Sequence, residues 1–318
     1  MLDGYTLNPG DIPWTPVESV GELVVYDRTQ PEDVFERIQD AEIVLTNKAV
    51  MGRELLSQLN ALKFVSVMAT GYNVVDIEAA AEFGIPVSNV PEYSTDAVAQ
   101  HVFAALLSFI HRISEHDRSV REGDWCRCED FSYWKSDLFE LSGKTMGIVG
   151  LGKIGRATAA LAHAFGMRVL AATRTERDPL PYPGFGWRNI NELFAEADVV
   201  SLHCPQTSEN VGFVDEELLG KMKPTGILVN TGRGMLVNEA DLANALNERK
   251  IRGACIDVVS QEPMNPENPL LNAINCQITP HIAWAALEAR QRLMATTAKN
   301  IEAFLKGQPI NVVNGITS

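Results

Sequence analysis

Three short stretches carry side chains suited to proton transfer and anion binding: "NTGRG" with Arg233, "CIDVVSQEP" with Asp257 and Glu262, and "TPHIAW" with His281. An imidazole changes charge near neutral pH, a neighbouring carboxylate can orient it, and the planar fork of a guanidinium matches a carboxylate or polarises a carbonyl oxygen. Each residue also has an ordinary structural explanation. A lone Arg after a strand is usually solvated, a Glu before Pro usually sits in a turn, and a lone His is more often a satisfied polar group than a catalyst. The signal is their shared placement. Each follows a short apolar run of strand character, so three successive strands would end with these groups at one edge of a sheet, where α/β domains bind ligands.

A fourth stretch says what else lies at that edge. "GIVGLGKIGRA" sets Gly150, Gly152 and Gly155 in the G-x-G-x-x-G spacing, between an apolar strand and an Ala-rich helix that Lys153 and Ile154 open. Glycines there permit a tight turn and close approach of the backbone to a pyrophosphate, whose charge the helix N-terminus attracts. The succession of strand, glycines, helix and strand points to a dinucleotide. About twenty residues on, an NAD site ordinarily presents an Asp or Glu to the adenosine ribose. Here "VLAATRTERD" ends its strand with Thr173 and Arg174 instead. An acid would repel a 2′-phosphate, whereas Thr173 can donate to one and Arg174 can clamp it or stack on adenine. The cofactor is NAD or NADP, with NADPH favoured; a solvated Arg174 beside an NAD site is the alternative.

The elements that must position these groups follow from hydrophobic periodicity. "GELVVYD", "AEIVLTN", "LKFVSVMA" and "IPVSNV" read as strands, alternating with helices over "QPEDVFERIQD", "GRELLSQLN" and "DIEAAAEFG". Such alternation implies crossover connections and a parallel sheet. "STDAVAQHVFAALLSFIHRISEHDRSVREG" predicts one helix, apolar nearly all round in its first half and so buried. The segment from Asp124 to Leu141, with Trp125, Phe131, Tyr133, Trp134 and Phe139, is too aromatic for a flexible linker and reads as an arm that packs on a dimer partner. A second alternating run, from "TMGIVG" to "NCQITP", predicts a doubly wound domain, and a last helix over 285–306 leads the chain back to the first. The expected fold class is α/β with two domains. Residues 1–95 and 285–318 form the smaller, discontinuous domain, and 96–284 a Rossmann dinucleotide-binding domain with a dimerisation arm at about 120–142.

A length of 318 residues exceeds what one core usually supports, in keeping with two domains. The formal charge of −14 repels phosphate backbones and anionic lipid, so neither nucleic acid nor membrane is an expected partner. Any anionic ligand must be held by local cations. Cys126, Cys128, Cys204, Cys255 and Cys276 show no disulfide-framework spacing, and no N-terminal segment reads as an export signal, so a reducing cytoplasm is the expected home. No further ligands stand at short spacing from Cys126 and Cys128, so no metal site is expected.

Several longer stretches, spread over nearly the whole chain, carry a family resemblance. They are "ATGYNVVD" at 69–76, "NVPEYSTDAVAQH" at 89–101, "GKTMGIVGLGKIGRA", "LHCPQT", "LVNTGRG", "DVVSQEP" and "TPHIAWAA". Together they resemble the D-isomer-specific 2-hydroxyacid dehydrogenase family. Within it the chain is most similar to the glycerate dehydrogenase, or hydroxypyruvate reductase, branch, through "LDGYTLNPGD", "FSYWKSDLFELSGKTMGI" and "HIAWAA".

The resemblance implies a flavodoxin-like α/β substrate domain beside the Rossmann domain, and it implies roles. His281 would protonate the carbonyl oxygen as hydride reaches C2 and take the proton back in reverse; Glu262 would bond the other ring nitrogen and fix its orientation. Arg233 would bind the substrate carboxylate and polarise the keto group. Backbone amides at Thr70 and Gly71 match the family's carboxylate cradle, completed when the domains close, and Lys48 would attract substrate unless it is merely solvated. Asp257 matches the residue that bonds the nicotinamide carboxamide, Cys204 and Pro205 the adenine wall, and Thr231 and Gly232 the turn beneath the cofactor.

Two departures stand out: the missing ribose acid, and a start at "MLDGYTL" where relatives carry more apolar residues in a first strand. With no long extension after residue 318 the larger phosphoglycerate dehydrogenases are disfavoured. The Glu262 and His281 pair disfavours the formate branch, where the resemblance implies Gln. Hydroxypyruvate to D-glycerate is the expected reaction, glyoxylate a side substrate, and general 2-oxoacid reduction the runner-up. A dinucleotide-sensing, corepressor-like binding module is the rival from another class.

Overall fold

The computed structural model describes residues 1–176 and 178–317. The chain divides into two compact units, Met1–Ser94 with Ala285–Ser318, and Thr95–Trp284. The first unit contains α1 (Gly4–Leu7), α2 (Thr15–Glu18), α3 (Val34–Ile38), β1 (Ile43–Thr46), α4 (Arg53–Leu56), β2 (Phe64–Val67), α5 (Ile77–Glu82) and β3 (Val87–Ser88). The second contains α6 (Thr95–His111), α7 (Ile113–Arg121), β4 (Thr145–Val149), α8 (Lys153–Ala164), β5 (Arg168–Ala172), β6 (Gly186–Trp187), α9 (Ile190–Glu196) and β7 (Val199–Leu202). It continues through α10 (Glu216–Leu219), β8 (Ile227–Asn230), α11 (Glu239–Asn247), β9 (Gly253–Ile256) and β10 (Cys276–Ile278); α12 (Leu287–Leu305) then belongs to the first unit.

In the first unit β1, β2 and β3 pair in that order, all parallel. Val44, Val65, Val67 and Val87 join Ala79 and Ala80 of α5 in one core, while Phe64 stacks on Phe304 of α12 with ring centroids 4.6 Å apart. The tail after α12 adds to the sheet edge, Val313 N–H donating to the Val87 carbonyl at 2.8 Å. The strand expected over 21–27 does not form. That segment is irregular, tied to the N-terminus by Tyr26 N–H to the Met1 carbonyl and Gly4 N–H to the Tyr26 carbonyl, both at 2.9 Å. Its neighbour turns into α1 after Asp3, which leaves too short a run for a ladder.

The second unit is built on a seven-stranded parallel sheet in the order β10-β9-β8-β7-β4-β5-β6. Successive residues of each strand enter opposite cores. Val169 and Ala171 face α6 and α8, while Leu170 and Ala172 belong with α9, α10 and α11. Both faces are thus covered, which is why the strands read as unbroken apolar runs. Strand order reverses between β4 and β7, so the crevice for a ligand opens at the carboxyl end of β4, where the glycine motif lies.

Two local features depart from expectation. The single helix expected over 94–123 breaks at Arg112, whose φ of 44° is left-handed and separates α6 from α7. The two-residue β6 was not foreseen; it pairs with Leu170 and Ala171 of β5 and brings Trp187 and Arg188 beside the β5 end.

Candidate active site

The β4–α8 turn can be built only with glycine at two of its positions. Gly150 has a φ of 94°, and a Cβ there would lie 2.5 Å from the Cys204 amide nitrogen; one on Gly155 would lie 2.2 Å from the Gly150 carbonyl oxygen. Gly152, the residue before α8, meets nothing within 4 Å of where its Cβ would stand. An open approach to a helix N-terminus suits a phosphate group. Lys153 and Ile154 form the first turn of that helix, Lys153 exposed and Ile154 half-buried.

From this turn a cavity of about 640 Å³ runs along the strand ends, lined by Gly150, Gly152, Thr173, Arg174, Cys204 and Pro205 among others. Thr173 and Arg174 are exposed. Two arginines line the cavity, and they differ in commitment. Arg188 is held on Glu196 by contacts of 2.6 and 3.2 Å. Arg174 makes no hydrogen bond or ion pair with another described residue. Cys204 is half-buried, and burial pushes its thiol up. The loop after it is closed by Asn210, whose Nδ2 donates to the Pro205 carbonyl at 2.9 Å while its Oδ1 accepts from Thr207 N–H at 2.7 Å. His203 also lines the cavity, a residue that sequence reasoning missed. Burial pushes it down to about 4, so the ring is neutral near pH 7, with Nε2 2.9 Å from Ser201 Oγ.

The ends of β8, β9 and β10 carry the other predicted residues. Asn230, almost fully buried at the end of β8, donates to the Arg233 carbonyl at 2.9 Å and accepts from Gly232 N–H at 3.0 Å. One side chain thereby fixes the turn of Thr231, Gly232 and Arg233. Arg233 Nη1 donates to the Gly232 carbonyl at 2.8 Å. A Cβ on Gly234 would stand 1.9 Å from the Val259 carbonyl carbon, so this turn is packed directly on the loop after β9. That loop bears Glu262. Its Oε1 accepts from Val259 N–H at 3.2 Å, and its Oε2 lies 2.6 Å from His281 Nδ1.

His281 is cantilevered on Asp257. Its backbone is left-handed, with φ 54°, and its N–H donates to the carbonyls of Asp257 at 2.8 Å and Thr279 at 3.0 Å. The buried Asp257 carboxylate accepts from Thr279 Oγ1 at 2.6 Å and from the Ile282 and Ala283 amides, both at 2.9 Å. A carboxylate has about four acceptor sites, so one remains for a further donor. His101 of α6 stands behind the loop, its Nε2 3.2 Å from Thr279 Oγ1 and 3.6 Å from Asp257 Oδ1. Local sequence could not disclose that contact, because the partners are 178 residues apart.

The structure thus joins Glu262 to His281 and sets the Arg233 turn against their loop, while Gly150, Gly152, Thr173, Arg174, Cys204 and Pro205 share one cavity, which Lys153, Ile154 and Gly155 do not line. Thr231, Gly232 and Asp257 do not line that cavity. Thr231 Oγ1 is buried without a partner among the described residues. An orphaned hydroxyl, an open helix N-terminus and a cavity at a switch point fit a bound dinucleotide.

In the first unit Lys48 is exposed in the loop after β1, where Asp3 Oδ2 accepts from the Lys48 and Ala49 amides at 3.1 and 2.8 Å. Thr70 follows β2; its carbonyl accepts from Asn89 Nδ2 at 2.8 Å and its hydroxyl donates to the Val90 carbonyl at 3.1 Å. The Thr70 and Gly71 amides donate to no other described residue. Among the described residues no group of His, Cys, Asp and Glu could hold a metal ion, and no single helix is long and apolar enough to cross a membrane.

The chain is similar to known proteins over nearly its whole length. Residues 103–283 match the family described as "D-isomer specific 2-hydroxyacid dehydrogenase, NAD binding domain". The chain is 48% identical over 317 residues to a hydroxypyruvate reductase of Blautia hydrogenotrophica, covering 99% of this chain and 98% of that protein. It is 40% identical over 295 residues to a glycerate dehydrogenase of Methylorubrum extorquens, covering 92% of each. The crystal structure of an NADPH-dependent glyoxylate/hydroxypyruvate reductase from Sinorhizobium meliloti, in complex with NADP and malonate, superposes with a TM-score of 0.83 at 30% identity, covering 97% of this chain and 96% of that one. With a glycine cradle, a cavity along the strand ends, and a hydrogen-bonded His281 and Glu262 after β10 and β9, the chain belongs to the D-isomer-specific 2-hydroxyacid dehydrogenase family, whose members are NAD(P)-dependent oxidoreductases.

Proposed function

We propose that this enzyme reduces hydroxypyruvate to D-glycerate, with glyoxylate as a side substrate and NADPH as the favoured cofactor. The observation that carries the chemistry is the 2.6 Å contact between His281 Nδ1 and Glu262 Oε2. With Nδ1–H held by a carboxylate, Nε2 is the position that gives a proton to the substrate oxygen and retrieves it in reverse. The Gly150 to Gly155 turn, with Cys204 and Pro205, would hold a nicotinamide cofactor, which would supply the hydride when bound. Arg233, on a turn clamped by Asn230, binds the substrate carboxylate and polarises the keto oxygen. Asp257 keeps one acceptor site for the nicotinamide carboxamide, beside the turn of Thr231 and Gly232. Lys48 and the amides of Thr70 and Gly71 are assigned to substrate binding. Substrate choice rests on the likeness to the hydroxypyruvate reductase and the glycerate dehydrogenase.

The NADPH preference is supported by Arg174, which lines the cavity uncommitted while Arg188 is held by Glu196. Purified protein, given hydroxypyruvate with NADH or NADPH, should consume the reduced nicotinamide. Oxidation of neither cofactor would leave a dinucleotide-binding module in place of an enzyme. Faster turnover of pyruvate or 2-oxoglutarate would favour the broader 2-oxoacid reductase.

A homodimer completes the proposal. Ile113, Trp125, Phe131, Trp134 and Leu138 are all exposed on α7 and the arm, Phe131 at 91%. Exposed apolar side chains grouped in this way support an interface there. Light scattering should give twice the chain mass, and Phe131→Asp should lower it. A reducing cytoplasm is the proposed location, in keeping with five free thiols.

A further inference from the structure

Glu239 is the first residue of α11, and its carboxylate leaves the capping of that helix to Asn238, whose Oδ1 accepts from the Ala240 and Asp241 amides at 3.1 and 3.2 Å. It reaches instead across to the loop after β9. Oε1 accepts from Ser260 N–H at 2.6 Å; Oε2 accepts from Ser260 Oγ and from Asn268 Nδ2, both at 2.8 Å. The group is half-buried and has three donors, more than an acidic residue needs merely to suit a helix N-terminus.

The peptide it grips has two neighbours that matter. A Cβ on Gly234 would stand 1.9 Å from the Val259 carbonyl carbon and 2.5 Å from Ser260 N, so the Arg233 turn rests on the 259–260 peptide. On the other side Val259 N–H holds Glu262 Oε1 at 3.2 Å, and Glu262 Oε2 meets His281 Nδ1. Glu239 follows Arg233 by a short 3-10 turn, Gly234–Leu236, so it is anchored to the same chain segment that it braces.

We propose that Glu239 is a positioning residue: by fixing the 259–260 peptide it sets Glu262 against His281 and holds the Arg233 turn in register with that pair. It touches neither substrate nor cofactor and acts through Glu262. The inference rests on His281 and Glu262 being the acid–base pair, and its test separates the two.

Steady-state kinetics should show Glu239→Ala lowering kcat about tenfold while the cofactor KM moves less than about twofold, since a small displacement of a reacting group slows turnover without removing binding contacts. In a Glu262→Gln background, already slow, the same substitution should change kcat less than about twofold, because coupled residues do not add. Glu239→Gln turns one acceptor into a donor facing Asn268 Nδ2 and should be slow. Glu239→Gln with Asn268→Asp restores a donor–acceptor pair and should recover kcat to within about threefold of wild type. Should the alanine variant fail to fold, the Gln variant and its rescue carry the test.

An unchanged kcat in Glu239→Ala, an equal fractional loss in both backgrounds, or equal rates for Glu239→Gln and its double variant overturns the role of Glu239. If Glu262→Gln alone leaves kcat intact, the acid–base pair itself is overturned and the inference falls with it.

Discussion

At the ends of β8, β9 and β10 the polar atoms near the chemistry are held several times over: Asn230 clamps the Arg233 turn, Asp257 takes three hydrogen bonds from the His281 loop, and Glu262 bonds at both oxygens. At the end of β5, in the same sheet, Thr173 and Arg174 are exposed and Arg174 bonds to no other described residue. The contrast matches the roles proposed for the two ends. Proton and hydride transfer lose rate steeply with misplacement, so their groups need fixed supports. Recognition of a phosphate dianion needs a cation within reach, which one flexible side chain supplies. Substitutions at the first end should therefore damage catalysis broadly, and at the second should alter choice alone.

The sharpest break of this contrast is His281→Ala, expected to lower kcat by roughly 10² to 10⁴ while cofactor binding, read by fluorescence titration, stays near wild type. Near-normal turnover would remove His281 as acid and base. Arg233→Ala should cost roughly 10² in kcat/KM for the 2-oxo acid, and an unchanged value refutes its assignment. Asn230→Ala leaves every reacting group present but frees the Arg233 turn. It should reduce kcat/KM roughly tenfold and lower stability by about 1–3 kcal/mol in denaturant melts. A stability loss at full activity would show the turn to be structural only. Arg174→Ala should raise the NADPH KM several-fold, on the order of a single charge-assisted bond, with the NADH KM nearly constant. Equal changes for both cofactors would make Arg174 a bystander and weaken the contrast.

The same contrast explains what could be read from sequence. The glycine cradle was legible because its constraint is local: a left-handed Gly150 and a Gly155 pressed on its carbonyl declare themselves within six residues. That His281, Glu262 and Arg233 would meet could be expected because each lies in the loop after a strand, and parallel strands bring their ends to one edge. Asp257 was read for a cofactor contact alone, and its grip on the His281 loop emerged only with the fold. His101 against Thr279 and Glu239 against Ser260 were missed for one reason: each pair is distant in sequence, by 178 and 21 residues, and neither side chain is unusual for its own helix. The break at Arg112 and the brevity of β6 are likewise matters of packing, since "FIHRISEH" has helical propensity throughout. The failed strand at 21–27 misled because a short apolar run such as "LVVY" promises a strand only where a partner runs alongside.

The central claim is that these supports serve reduction of a small 2-oxo acid, and initial rates on the purified protein test it most directly. Hydroxypyruvate, glyoxylate, pyruvate and 2-oxoglutarate would each be offered with NADPH and with NADH, and consumption of the reduced nicotinamide followed alongside product. The account predicts the highest kcat/KM for hydroxypyruvate with NADPH, one D-glycerate formed for each cofactor oxidised, and near-complete loss in His281→Ala. Failure to oxidise either cofactor with any of the four acids would contradict it.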